Sequence, residues 1–393
     1  MSFHFHVPVD LYFGCGQLSH LHEMDLPGRH AFIVISNGRS TRANGYLDRV
    51  QKELELAGVD YQVFDKVSAN PLKATIEEGA RLFNESGSDF IVALGGGSVL
   101  DAAKAMAFLA PQPSDDLWDY AGGATGKGLP LEKPCAPWIA ITTTAGTGSE
   151  VDKASVVTNP DTKEKIGIGS TGGDSIFARI AIVDPELMVS VPPAFTAYQG
   201  FDALFHAMEG YLSKKNNVYG EMVQRTAIEN IARYLPRAVK DGKDIEAREG
   251  VALANTLSGY SMMVSSNIGE HAMEHALSAM HPQLAHGAGL IMISREYFTF
   301  YAENHLADDR LVSLARFLGK ADAADPMDCV RALVDLQKAC GVDGLKMSDY
   351  GITREELPET AQLALDTNER LLTNDRHHLT CEEILAIYEK SYR

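Results

Sequence analysis

The chain changes texture once, and that change limits its architecture more than any single motif. Up to V-P-P (Val191 to Pro193), short β-branched runs alternate with amphipathic helical stretches; beyond it the strand-like runs stop and helical periods continue to the C-terminus. Alternation of strand and helix is the signature of a parallel sheet covered by helices. Strands are predicted at Ala31 to Ser36, Tyr61 to Phe64, Phe90 to Leu94, Trp138 to Thr142 and Ile180 to Val183. Between them, Leu47 to Ala57, Lys73 to Phe83 and Val99 to Leu109 carry apolar residues at three- and four-residue steps, which predicts helices. At 393 residues the chain is long for one core, so the break at Val191 is read as a domain boundary: an α/β domain over 1–190 and an all-α domain over 191–393.

Composition removes several partners. Hydrophobic residues make up 45% and charged residues 22%, an ordinary soluble balance. Thirty-five basic against fifty-three acidic residues leave a formal net charge of −18, which argues against nucleic acid or an anionic membrane as partner. Five scattered cysteines with no C-x-x-C pair fit reduced thiols, not a disulfide framework or a thiolate zinc site. The N-terminus has no signal-peptide pattern and no apolar run approaches membrane-spanning length, so a soluble cytoplasmic protein is expected.

The helical half concentrates metal-ligand residue types. D-A-L-F-H (Asp202, His206), H-A-M-E-H (His271, His275) and A-H-G (His286) follow one another, and four of the thirteen histidines (His271, His275, His281, His286) fall within sixteen residues. Residues four apart on a helix share one face, so Asp202 with His206, and His271 with either His275 or His286, are placed to grip one ion. Any one of these histidines taken alone reads as a hydrogen-bonded helix residue. Two such pairs in a segment without Lys or Arg from Glu249 to Ser294 favour a metal site instead. An aspartate oxygen with imidazole nitrogens suits iron or zinc better than calcium or magnesium, which take all-oxygen shells.

A second signal lies in the α/β half. F-I-V-A-L-G-G-G-S-V-L-D-A-A-K runs a buried strand into Gly95, Gly96, Gly97 and Ser98, with a helix immediately after. Glycines let the backbone approach a diphosphate, and the free amides of the following helix hold the anion. Ser98 with Asp101 reads as an N-cap and capping-box variant. The run is neither a Walker loop nor the usual G-x-G-x-x-G fingerprint, and a tight turn that binds nothing is the plain alternative. A second strand-end loop, I-T-T-T-A-G-T-G-S-E (Ile141 to Glu150), tips the balance towards a dinucleotide on a Rossmann-like sheet.

Together these runs resemble the iron-dependent, or group III, alcohol dehydrogenases. G-G-G-S-x-x-D-x-x-K (Gly95 to Lys104), T-T-x-A-G-T-G-S-E (Thr142 to Glu150), D-A-L-x-H-A-x-E (Asp202 to Glu209) and H-x-x-x-H followed by H-G (His271 to Gly287) look like its motifs, in its order; L-L-T-N-D-R-H-H-L-T (Leu371 to Thr380) resembles its closing segment. The resemblance implies an N-terminal Rossmann-like domain and an all-α C-terminal domain, the dehydroquinate synthase-like fold. It implies Asp202, His206, His271 and His286 as ligands of Fe2+, with Zn2+ as substitute, and His275 as a catalytic group close to the nicotinamide. One departure is the eleven-residue step from His275 to His286, where many members have ten. His281 is then a supporting or surface residue. Cofactor-binding residues are expected at Ser36, Gly38, Arg39, Asn70, Gly96, Gly97, Ser98, Asp101, Thr143, Thr144, Thr147 and Lys165, and a homodimer is common in the family.

The expected function is therefore NAD(P)-linked oxidation of a small alcohol or reduction of an aldehyde. The cation-free stretch from Glu249 to Ser294 favours a neutral primary alcohol or aldehyde, since a phosphorylated or strongly acidic substrate would want a cation there. The loop I-S-N-G-R-S-T-R after the first predicted strand has no carboxylate for a ribose 2′-hydroxyl; Ser36, Gly38, Arg39 and Ser40 leave room for a 2′-phosphate, which favours NADP. Two rivals share the fold: a zinc- and NAD-dependent lyase of the dehydroquinate synthase type, and a non-catalytic relative that keeps the nucleotide or metal.

Overall fold

The structure is a computed structural model and describes residues 2–122, 125–169 and 172–393. It divides into two compact units, one of His6–Thr144 and Ser149–Ser190, the other of Val191–Arg393 joined by the N-terminal segment through Phe5 and by Ala145–Gly148.

The first unit is built on a parallel sheet. Its elements in order are β1 (Asp10–Phe13), β2 (His30–Ser36), α1 (Ser40–Ala43), α2 (Tyr46–Leu56), β3 (Asp60–Val67), α3 (Lys73–Ser86), β4 (Phe90–Gly95), α4 (Gly97–Leu109), β5 (Trp138–Thr142), β6 (Ser155–Asn159), β7 (Glu164–Ile168) and β8 (Ile180–Val183). Six strands form one sheet in the order β1-β8-β5-β4-β2-β3, with every pairing parallel. The central strands read as unbroken apolar runs because both faces are covered: all of β4 and β5 is buried. On one face Ile33, Val92, Ile139, Ile141 and Ile182 pack under Leu47, Val50 and Leu54 of α2.

Three elements escape the sequence pattern. β1 is four residues long at the sheet edge and half exposed, so it carries no apolar run. β6 and β7 form an antiparallel hairpin outside the main sheet, with Thr158 opposite Lys165. The start of α4 also corrects the capping reading: the helix begins at Gly97 with Gly96 as N-cap and no side-chain cap. Asp101 is buried and turns inward, accepting from Ser149 Oγ at 2.6 Å and from the Val156 amide at 2.9 Å. Those donors are more rewarding to a buried carboxylate than a helix end already wrapped by glycine.

The second unit is helical: α5 (Pro193–Leu212), α6 (Val218–Lys240), α7 (Ile245–Val264), α8 (Gly269–Met280), α9 (His286–Glu303), α10 (Asp308–Phe317), α11 (Met327–Ala339), α12 (Leu357–Asn374) and α13 (Cys381–Ser391). α6 continues through Pro236 to Lys240. α5, α6 and α7 pack side by side, α8 lies against α9 and α12, and α13 closes on α9 and α12. The long helices α5 and α8 are buried on nearly all sides, which is why their polar residues stand out.

Candidate metal centre and nucleotide loop

α5 and α8 present their ligand-type residues from facing surfaces, and α9 contributes its first residue. Asp202 Oδ1 lies 3.6 Å from His206 Nδ1, 3.6 Å from His271 Nε2 and 3.5 Å from His286 Nε2. The His206 and His271 rings stack with centroids 4.5 Å apart, and the His271 and His286 centroids are 5.3 Å apart. Asp202, His206 and His271 are buried, while His286 keeps partial exposure.

Each of the three rings is held by its Nδ1 edge. His271 Nδ1 donates to Glu209 Oε1 and His286 Nδ1 donates to Glu274 Oε2, because a carboxylate can only accept. His206 Nδ1 lies 3.3 Å from the Gly146 carbonyl oxygen. An imidazole protonated at Nδ1 presents a lone pair at Nε2, so for His271 and His286 the tautomer needed for metal ligation is set by the carboxylate behind the ring, whereas His206 approaches Asp202 through Nδ1 itself.

Among the described residues, two buried atoms at the centre, Asp202 Oδ1 and His271 Nε2, have no hydrogen-bond partner. An acceptor and a ring nitrogen left bare in a buried cluster are costly unless something sits between them. One carboxylate oxygen and imidazole nitrogens at this spacing suit a divalent transition ion, so the residues present fit iron or zinc. Among the described residues, the ligand atoms of Asp202, His271 and His286 lie within 4.8 Å of one another, a group that does not include His206; a second set, Glu274, His275 and His286, meets the same limit. There Glu274 is already engaged by the His286 ring, which makes it the weaker cradle.

Electrostatics point the same way. Burial alone would depress the His271 imidazole, but Glu209 and Asp202 outweigh it and raise its pKa to about 10. Burial drives His206 down to about 3, with Asp202 pulling the other way. Burial opposes the charge on Asp202 too, yet the surrounding histidines hold its carboxyl well below the usual range.

The neighbours of the cluster explain two more features. Gly287, directly after His286, faces the Tyr198 carbonyl of α5 so closely that a Cβ would fall inside van der Waals contact, so the H-G pair lets α9 start against α5. His275, one turn beyond His271, is buried with Nδ1 3.2 Å from Asn368 Oδ1, at the point where α12 departs from helical dihedrals. Its ring centroid lies 5.5 Å from that of His286. His281 stands apart at the end of α8, with Nε2 3.0 Å from Glu356.

In the α/β unit, Gly96 links β4 to α4, whose first residues are Gly97 and Ser98, and the Thr143 amide donates to Gly95 O at 2.9 Å, placing Thr143 and Thr144 beside this link. Lys104, fully buried, spends its three N–H donors on Asp152 Oδ1 at 2.6 Å, Ala154 O at 2.7 Å and Ser149 Oγ at 3.0 Å. It anchors the segment after the second loop from inside. Lys165 is buried on β7, not solvated. Asn70 takes a left-handed conformation (φ 51°) in the turn after β3. Thr147 belongs to the short segment that packs with the helical unit.

Ser36, Asn37, Gly38 and Arg39 line a cavity of about 360 Å³ with Arg42 and Asp65. Asp65 comes from the neighbouring strand and pairs with Arg42 at 2.8 Å. The sequence reading missed this carboxylate because it lies outside the loop, on β3. It also passed over Glu209 and Glu274; their signal is a buried acid on the ligand-bearing face, at three or seven residues from a ligand candidate.

A parallel sheet of the nucleotide-binding type and a helical unit carrying this donor set fit an enzyme that uses a nucleotide and a metal, dehydrogenase and lyase alike. Residues 8–185 match the family described as iron-containing alcohol dehydrogenase, and residues 196–392 match the C-terminal part of the Fe-containing alcohol dehydrogenase family. The chain belongs to the iron-containing alcohol dehydrogenase family, and is an oxidoreductase of the EC 1.1.1 type. Among curated proteins it is 39% identical over 288 residues to a choline dehydrogenase of Bacillus subtilis (strain 168), covering 73% of this chain and 70% of that one. It is 33% identical over 372 residues to the 1,3-propanediol dehydrogenase of Citrobacter freundii, covering 92% of each. Among solved structures it is similar to an archaeal halo-thermophilic alcohol dehydrogenase from a Red Sea brine pool, with a TM-score of 0.92 and 32% identity over 100% of this chain and 99% of that one.

Proposed function

We propose that this alcohol dehydrogenase interconverts small neutral primary alcohols and their aldehydes, with Asp202, His206, His271 and His286 holding Fe2+, or Zn2+ in its place. The observation that carries this reading is the bare pair at the centre, Asp202 Oδ1 facing His271 Nε2 with His286 Nε2 alongside. A bound ion would polarise the substrate oxygen, and a bound nicotinamide would exchange hydride with the substrate carbon.

The chain's own residues orient and hold charge. Glu209 and Glu274 keep the Nε2 edges of His271 and His286 turned to Asp202. His275, buried on the next turn of α8 and tied to Asn368, is the group assigned to proton traffic or substrate alignment. Gly96, Gly97 and Ser98 take the cofactor diphosphate, with Thr143, Thr144, Thr147, Asn70 and Lys165 in support, while Asp101 holds the following segment from behind the loop. Arg39, with Ser36 and Gly38, favours NADP: two guanidiniums line the cavity at the end of β2 against one carboxylate, Asp65, which is paired with Arg42, and a 2′-phosphate wants cations. We further assign the enzyme to the cytoplasm as a homodimer, supported by five free cysteines and by the family resemblance.

The absence of Lys and Arg from Glu249 to Ser294 supports an uncharged substrate and disfavours an anionic one. The test is a panel of short alcohols, 1,3-propanediol, choline and the matching aldehydes, with NAD(H) and NADP(H), on metal-free protein reloaded with Fe2+ or Zn2+. Turnover of neutral alcohols only after reloading is expected. Preference for choline would replace the neutral substrate by a cationic one; no net cofactor turnover with any of them would favour the lyase.

A further inference from the structure

α8 carries His271 and His275, yet its first turn has no cap of its own: Ile268 is the N-cap and supplies no side-chain acceptor. The free amides at a helix start need partners when buried. Here two carboxylates from other elements provide them. Glu209 of α5 accepts from the Ile268 amide at 2.6 Å, and Asp375, in the turn after α12, accepts from the Gly269 amide at 3.0 Å. Gly269 permits that approach, since a Cβ there would lie 2.7 Å from Asp375 Oδ2.

Asp375 is fully buried, and its other donors come from a second helix. Tyr297 OH donates to Oδ2 at 2.6 Å and Tyr301 OH donates to Oδ1, both from α9, one turn apart and themselves buried. The His377 amide, 3.3 Å from Oδ1, completes the set. One carboxylate thus joins the start of the helix bearing His271 to the helix that begins at His286. A buried carboxylate is expensive unless fully hydrogen-bonded, and a site needing only bulk would be filled by an apolar side chain. The positive end of α8 further favours an anion there.

We propose that Asp375 is a positioning residue for the metal centre, fixing the register of α8 against α9 and so the separation of His271 from His286. This rests on the ligand assignment above. The residue sits in L-L-T-N-D-R-H-H-L-T, the one motif that the ligand and cofactor assignments leave without a role.

The test uses Co2+ as probe, with its visible ligand-field spectrum and its affinity by chelator competition, alongside thermal melting of the metal-free protein. Asp375→Ala is expected to weaken Co2+ binding roughly ten- to a hundred-fold and to shift the spectrum. Asp375→Asn keeps an oxygen for the Gly269 amide and the Tyr297 hydroxyl and sets its own amide against the Tyr301 hydroxyl, which can accept; it gives up only the longer bond from the His377 amide and is expected to restore most of both. A purely structural role would lower melting and leave the spectrum and affinity of the folded protein as in wild type; that result overturns the proposal. If Asp375→Ala does not fold, the Tyr297→Phe, Tyr301→Phe double variant decides, with a weaker shift in the same direction expected and a wild-type spectrum overturning it. Wild-type protein that takes up no Co2+ would instead overturn the ligand assignment, and the positioning role with it.

Discussion

Glu209 accepts the Nδ1 proton of His271 with both residues sealed from solvent, and this one contact decides which ring nitrogen faces Asp202. The carboxylate is on α5, seven residues beyond Asp202, so the helix that contributes a candidate ligand also orients the ring on its neighbour. Glu209→Gln is expected to lower metal affinity by about ten- to a hundred-fold, because an amide can donate to Nδ1 and favour the wrong tautomer. Metal stoichiometry after dialysis against a graded chelator measures this; wild-type retention would remove the tautomer argument.

His271→Ala is expected to abolish metal retention, since it deletes the buried Nε2 opposite Asp202 Oδ1. His281→Ala should retain a full complement, because that ring lies at the far end of α8 against Glu356. Equal metal content in the two variants would sink the ligand set.

Arg42→Ala is expected to reduce kcat/KM for NADP by roughly tenfold or more, the value of one charge-assisted hydrogen bond, with little change for NAD. Asp65→Asn should move the ratio the other way by releasing Arg42 from its ion pair. Parallel steady-state kinetics with both cofactors read the ratio; if neither substitution alters it, the cavity beside Ser36 does not receive the 2′-phosphate.

Gly287→Ala forces a methyl group against the Tyr198 carbonyl oxygen, a backbone atom that cannot swing away. A cost of about 1–3 kcal/mol is expected from overpacking, with His286 displaced as α9 moves off α5. Denaturant unfolding of metal-free protein gives the first quantity and metal affinity the second. An unchanged midpoint would mean that the contact of α9 with α5 is looser than described.

Burial pushes the Asp101 carboxyl up to about 6, with Lys104 opposing and Asp152 adding to the rise. A carboxyl raised in the folded state favours folding while protonated. Its contribution is therefore complete below pH about 4 and is lost as pH climbs through about 6, at most about 3 kcal/mol across the window. Stability of Asp101→Asn should change less between pH 4 and 6.5 than that of wild type. Equal slopes for the two proteins would show that Asp101 does not titrate there.

Much of the architecture was legible before any coordinates. Unbroken apolar strands such as Phe90 to Leu94 announce a sheet covered on both faces, and the loss of such runs after Val191 announces the helical unit, because burial on two faces leaves no room for polar alternation. β1 and the β6–β7 hairpin were not legible. The edge strand is half exposed, and the hairpin strands are five residues each and bury polar residues such as Thr158, Glu164 and Lys165, so neither shows an apolar period of its own. The Ser98 and Asp101 capping box failed for a related reason: spacing reports which groups can meet along a helix, while Ser149 and Val156 offered Asp101 better donors from elsewhere.

The candidate site divides along the same line. Helical spacing alone selects Asp202 with His206 and His271 with His275 as groups sharing a face, since that relation is local and set by backbone geometry. Only the tertiary structure decides that Asp202 Oδ1 stands opposite His271 Nε2, that Glu209, Glu274 and Gly146 hold the three rings by their Nδ1 edges, and that Asp375 ties α8 to α9. Those contacts join residues from 12 to more than 100 positions apart, and hydrogen bonds of that range depend on how helices pack, which no local period encodes.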